Sequence, residues 1–235
     1  MNFNNVNGQE STKDRNVDIV FCIDATGSMS GVINNLKENA KRFRDELVLE
    51  LVEAKTNITS LRVKLIAFRD YGQDADAMEE SRFFELPKDQ AAFEEALNQI
   101  DAHGGGDAPE NGFEALYYAM KSKWVTGKFD RQIIVLFTDN EALDLKERAG
   151  SAGYPADMVD MAGLEDLWSC AGSQAQSSFL RERCNRLVIF APEGTKYSEL
   201  VWNKTQFYPV ASDEGLKEID FSQIIKNIVK SATAI

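Results

Sequence analysis

Residues 17–30 read VDIVFCIDATGSMS. The β-branched, apolar run Val17 to Ile23 has the composition of a strand covered on both faces. Ser28 and Ser30 then offer hydroxyl caps, and Val32, Ile33, Leu36, Phe43 and Leu47 recur at helical spacing. A buried strand that runs through a short polar turn into an amphipathic helix is the opening of an α/β unit. The same alternation continues outward. Leu61–Phe68 reads as a second strand, Arg82–Leu86 as a short edge strand and Asp89–Ile100 as a helix. A helix is expected to start at Pro109 and run to about Lys123. Arg131–Thr138 (RQIIVLFT) is the clearest central strand. A helical region through Leu164, Leu167, Trp168, Phe179 and Leu180 follows. Leu187–Ala191 and Phe207–Val210 then read as strands, and Leu216–Val229 as a closing helix. This order predicts an α/β fold: a Rossmann-like, doubly wound, mostly parallel sheet of about six strands with helices on both faces.

Composition narrows the function. The 235 residues carry 38 acidic and 26 basic side chains, a net charge of −12. Such a chain is a poor ligand for nucleic acid or an anionic membrane and a good one for cations. No apolar run is long enough to span a bilayer. The three cysteines, Cys22, Cys170 and Cys184, show no CxxC spacing and read as free thiols. The expected setting is cytoplasmic. Residues 1–16 read as a polar tail and 17–235 as one domain with an insertion around 140–176.

In an open α/β sheet, ligands bind beyond the carboxyl ends of the strands. The segments that leave those ends are Asp24-Ala-Thr26-Gly-Ser28, Arg69-Asp70-Tyr71-Gly72 and Thr138-Asp139-Asn140-Glu141. Gly104-Gly-Gly-Asp107 precedes the next helix. Carboxylates and hydroxyls therefore converge on one edge, a hard oxygen donor set suited to Mg2+, with Mn2+ or Ca2+ as alternates. Asp70 reads as a turn residue or an outer partner of the site, and His103 as structural or solvated. Cys22, Trp168, Trp202 and Tyr197 read as packing residues.

Asp24-x-Thr26-x-Ser28 at the end of an apolar strand resembles the metal-ion-dependent adhesion site of von Willebrand factor A domains. Asp107 in GGGDAPE and Asp139 in LFTDN fall at that family's remaining positions. The DATGSM, FRDYG and GGGDAPE segments look most like its intracellular branch, which includes bacterial stand-alone proteins. The resemblance implies a metal held by Asp24, Thr26, Ser28, Asp107 and Asp139, and a non-catalytic adaptor or scaffold. It implies a protein partner that brings an acidic side chain to the metal or meets segment 140–176. Asp107 stands where adhesion domains have a neutral threonine, and this third fixed carboxylate weakens the pull on a partner's carboxylate. DATGS also resembles the phosphate-accepting loop of haloacid-dehalogenase-like phosphatases. On that alternative Asp24 is the nucleophile, and Asp139 with Asp144 completes a Mg2+ site.

Overall fold

The computed structural model describes residues 14–105, 109–172, 178–210 and 221–233. Among these, seven strands form one sheet: β1 (Asp14–Asp24), β2 (Asn57–Phe68), β3 (Met78–Glu80), β4 (Phe84–Leu86), β5 (Arg131–Phe137), β6 (Asn185–Pro192) and β7 (Thr205–Val210). Five helices flank it: α1 (Ser30–Glu53), α2 (Gln90–Gln99), α3 (Gly112–Met120), α4 (Met161–Ser169) and α5 (Phe221–Thr233). The strand order is β3-β2-β1-β5-β6-β7, and β4 also pairs with β2. β1, β2, β5, β6 and β7 run parallel, while β3 and β4 lie antiparallel to β2.

Period-two alternation splits the core into two layers. Val17, Ile19, Phe21 and Ile23 of β1 pack with residues of α1, α2 and α5. Val20 and Cys22 point the other way, into a layer shared with α3 and α4. β5 divides likewise, with Ile133, Val135 and Phe137 on the first face and Ile134 and Leu136 on the second. Each of these side chains is at most 5 % exposed, which accounts for the unbroken apolar runs at 19–23 and 133–137.

The structure differs from the sequence reading in four places. The sheet has seven strands rather than about six, because the antiparallel edge is made of two short pieces. The first, Met78–Glu80, carries two exposed glutamates that mask it. β1 begins at Asp14, inside the stretch read as tail. Arg15 donates to the Ala232 carbonyl (2.9 Å), and Asn16 pairs with Asp130 and Ser60. The helix expected from Pro109 starts at Gly112. Glu110 is still extended and pairs with the chain after β5: its N–H donates to the Glu141 carbonyl (3.0 Å), and its carbonyl accepts from Leu143 (2.9 Å). The helical region expected to reach Leu180 ends at Ser169, where Cys170 takes the left-handed conformation (φ 57°). Of the closing helix, 216–220 lie outside the described residues.

Candidate metal centre

Because β1, β2 and β5 are parallel, their carboxyl ends share one edge. Arg69, just past β2 and fully buried, binds the loops there together. Its guanidinium donates to the carbonyls of Ala25 (3.1 Å), Asp76 (2.9 Å) and Asp101 (2.7 Å). This one cation satisfies three carbonyls from three loops and fixes the frame in which the acidic groups sit.

Asp24, the last residue of β1, is fully buried. Its Oδ1 accepts from the Thr26 N–H (3.0 Å) and hydroxyl (2.6 Å), and its Oδ2 accepts from the Thr138 hydroxyl (2.7 Å). Burial, and to a smaller extent Asp139, pushes its pKa up to about 6 against the pull of those hydrogen bonds. Thr26 spends its hydroxyl proton on Asp24 and so keeps its lone pairs for another partner. The Ser28 hydroxyl lies 3.4 Å from Thr26 Oγ1 and donates to Asp139 Oδ1 (3.0 Å). Two carboxylates thus orient two hydroxyls whose free lone pairs can face a cation. The structure brings Asp24, Thr26, Ser28 and Asp139 together. Asp107 lies outside the described residues. Thr138, which the sequence reading set only at a strand end, is the side chain that holds the second oxygen of Asp24.

The residue that sequence reasoning missed is Glu110, the last letter of GGGDAPE. It is fully buried, and neither carboxylate oxygen has a partner among the described residues. Burial first, then the charges of Asp24, Asp70, Asp74 and Asp139, raise its pKa to about 8. Gly105 marks where it points. A Cβ there would lie 2.4 Å from Thr26 Cγ2 and 3.1 Å from Glu110 Oε1, so the two side chains meet across this glycine. Gly105 has φ +69°, which a glycine adopts freely. No local signal marks Glu110, because its place is set by pairing with the chain after β5.

These donors fit a hard divalent cation. They are all oxygens, and a buried carboxylate with two unmatched oxygens is costly unless a cation or proton meets it. Among the described residues, no three acidic, histidine or cysteine side chains form a metal cage by themselves. The set depends on the Thr26 and Ser28 hydroxyls.

Asp70 is taken up elsewhere: Arg148 donates to both its oxygens at 2.7 Å, and the Gly72 N–H to one (2.7 Å). Tyr154 packs edge-on to Tyr71, with centroids 5.1 Å apart, and its hydroxyl donates to Glu114 (2.7 Å). The chain around 148–154 is therefore tied down beside the site. The half-exposed His103 ring lies 3.2 Å from Asp76, and the His103 main-chain N–H donates to the Ala25 carbonyl (3.1 Å).

The sheet order, the helices on both faces and this loop edge define an α/β domain that places carboxylates and hydroxyls at the ends of parallel strands. Residues 18–150 match the von Willebrand factor A domain family model, and the chain belongs to that family. An alpha-protein kinase, vwkA of Dictyostelium discoideum, is 22 % identical over 151 residues, which cover 64 % of this chain and 23 % of the kinase. A von Willebrand factor type A structure from Catenulispora acidiphila aligns over 91 % of this chain and 42 % of its own, at TM-score 0.53 and 16 % identity. The pilus adhesin SpaC of Lactobacillus rhamnosus GG, in its open conformation, aligns over 93 % of this chain and 30 % of its own, at TM-score 0.52 and 14 % identity. The chain thus spans a minor part of the relatives it matches, and at these identities the structural likeness speaks for the fold.

Proposed function

We propose that this chain is a divalent-metal-binding protein-interaction module of the intracellular, bacterial stand-alone branch of the family, a non-catalytic adaptor or scaffold acting in the cytoplasm. Mg2+ is the metal. Thr26, Ser28 and Asp107 hold it, with Asp24 and Asp139 acting directly or through water, and Glu110 adds a further carboxylate. The observation that carries this reading is the pairing of Thr26 with Asp24 and of Ser28 with Asp139, beside a buried Glu110 whose oxygens lack partners. Four carboxylates against two positive charges leave little attraction for a partner's carboxylate. The partner therefore meets the rim, in particular the 140–176 segment anchored by Arg148, more than the ion itself. Nucleic acid and membrane are not partners.

The phosphatase alternative lacks support. Asp24 is fully buried with both oxygens hydrogen-bonded by threonines, a position that does not present it to a phosphate ester arriving from solvent. Asp144 is turned away onto Lys196 (2.7 Å). A 3-10 turn (Gly27–Met29) and α1 follow the motif at once.

Titration calorimetry with MgCl2 tests the metal. Wild type is expected to bind one ion, with Ser28→Ala reducing affinity at least about tenfold. Equal binding by both would overturn the assignment. Deleting 150–153 tests the rim and should keep metal binding while losing a partner captured by the intact domain. Turnover of a generic aryl phosphate with Mg2+ would reinstate the enzyme.

A further inference from the structure

A second pocket opens at the opposite edge of the sheet, around the amino-terminal ends of β6 and β7. It has a volume of about 270 Å3 and is lined by residues including Trp168, Trp202, Asn185, Glu165, Glu182 and Lys204. The two indoles stack, with centroids 6.1 Å apart and planes at 24°. Trp168 is buried and fixed by its own N–H, which donates to the Asn203 carbonyl (2.9 Å). Trp202 is half-buried and next to Val201, which is 92 % exposed.

Asn185 lies at the floor of the pocket. It is 1 % exposed, and its Nδ2 donates to the Trp168 carbonyl (2.6 Å), which sets the amide so that Oδ1 is the remaining acceptor. That oxygen has no partner among the described residues. The oxygen is itself shielded from solvent, so Asn185 stiffens the floor of the pocket. Glu165 and Glu182 are exposed at its rim and add negative charge. Lys204, the one basic lining residue, donates to the main-chain carbonyl of Glu182 and leaves both carboxylates to other partners.

We infer that this pocket receives an arginine side chain of a partner protein. A guanidinium is planar and always charged, carries five donors, and stacks on aromatic faces. It can lie against the open part of the half-buried Trp202 ring and face Glu165 and Glu182 together. The strongly acidic chain favours a basic partner surface. This inference concerns the edge away from the metal centre and does not rest on that reading.

The probe is the capped peptide acetyl-Gly-Arg-Gly-amide, followed through the indole N–H signals in 1H–15N NMR spectra. The Trp168 and Trp202 signals should shift saturably. Trp124, which is not among the pocket's lining residues and whose indole N–H donates to the Ala119 carbonyl (3.0 Å), should stay still and serves as the internal control. The citrulline peptide, of the same shape without charge, should bind at least about tenfold more weakly, and the lysine peptide should also be weaker. Trp202→Ala should abolish the shift of Trp168. Glu165→Gln, at an exposed position that leaves the fold intact, should weaken binding about threefold or more. All of this should be the same with Mg2+ or with chelator. The proposal is overturned if no saturable shift occurs at tens of millimolar peptide. It is equally overturned if citrulline binds as well as arginine and Glu165→Gln changes nothing.

Discussion

Arg148 lays its guanidinium against both oxygens of Asp70, at 2.7 Å each, and so ties the chain beyond β5 to the end of β2. Asp70 is 1 % exposed. A buried carboxylate stripped of its cation loses more than the pair contributes, because its desolvation is no longer compensated. Arg148→Met is therefore expected to destabilise the domain by roughly 3 kcal/mol in urea melts. The double variant Asp70→Asn/Arg148→Met should recover most of that loss. If the double variant is as unstable as Arg148→Met alone, the pair is not the source of the cost.

Thr138 holds Asp24 through a single 2.7 Å hydrogen bond to Oδ2. Thr138→Val keeps the shape and removes the hydroxyl, leaving a buried oxygen without its donor. Stability should fall by about 1–3 kcal/mol. Freed on one side, Asp24 no longer fixes the Thr26 hydroxyl as firmly, and Mg2+ affinity should fall about 10- to 100-fold, as when the outer partners of metal ligands are removed. Calorimetry with MgCl2 on the two proteins decides it. Unchanged affinity would mean that Asp24 orients nothing.

Gly105 stands between Thr26 and Glu110. Its φ of +69° costs an alanine about 1–2 kcal/mol, and the new Cβ would press on Thr26 Cγ2 at 2.4 Å. Gly105→Ala should therefore lower the melting temperature and also reduce the gain in melting temperature on adding Mg2+. Gly150→Ala is the control. Nothing lies within 4 Å of a Cβ there, and it should leave that gain intact. An equal Mg2+ gain in wild type and Gly105→Ala would separate Gly105 from the metal centre.

The fold was legible because its strands are buried on both faces. Ile19–Ile23 and Ile133–Phe137 are continuous apolar runs with no polar alternation to confuse them, and a parallel sheet follows. Edges were less legible. Met78–Glu80 is a strand by its pairing with Ile66–Phe68, although its glutamates face solvent. Asp24, Thr26, Ser28 and Asp139 could be named because each follows a strand end directly. Glu110 and Arg148 could not, because their roles come from long-range pairing. Glu110 meets the chain after β5, and Arg148 reaches 78 residues back to Asp70. Nothing local in PEN or KERAG reports either contact.

Glu110 should make the metal-free domain lose stability as pH rises. Its pKa is raised from 4.5 to about 8, so the native state holds its proton more tightly than the unfolded chain does. A group shifted this way contributes most below about pH 4.5, and the contribution disappears as pH climbs through about 8. Asp24, raised to about 6, acts in the same direction over the lower part of that window. With chelator present, wild type should thus be less stable at pH 8.5 than at pH 5.5, apart from changes common to all variants. Glu110→Gln has no ionisable group at this position and should gain on wild type across that interval, by roughly 3 kcal/mol at the upper end. Mg2+ should reverse the order. The ion competes with the proton for the carboxylate, so wild type should be stabilised increasingly from pH 5.5 to 8.5, and Glu110→Gln much less. Paired melts of the two proteins with chelator and with Mg2+ at both pH values give the measurement. If the difference between wild type and Glu110→Gln in chelator does not change with pH, Glu110 is not the protonated, cation-seeking group that its burial makes it. If Mg2+ stabilises both equally, it is not part of the metal centre.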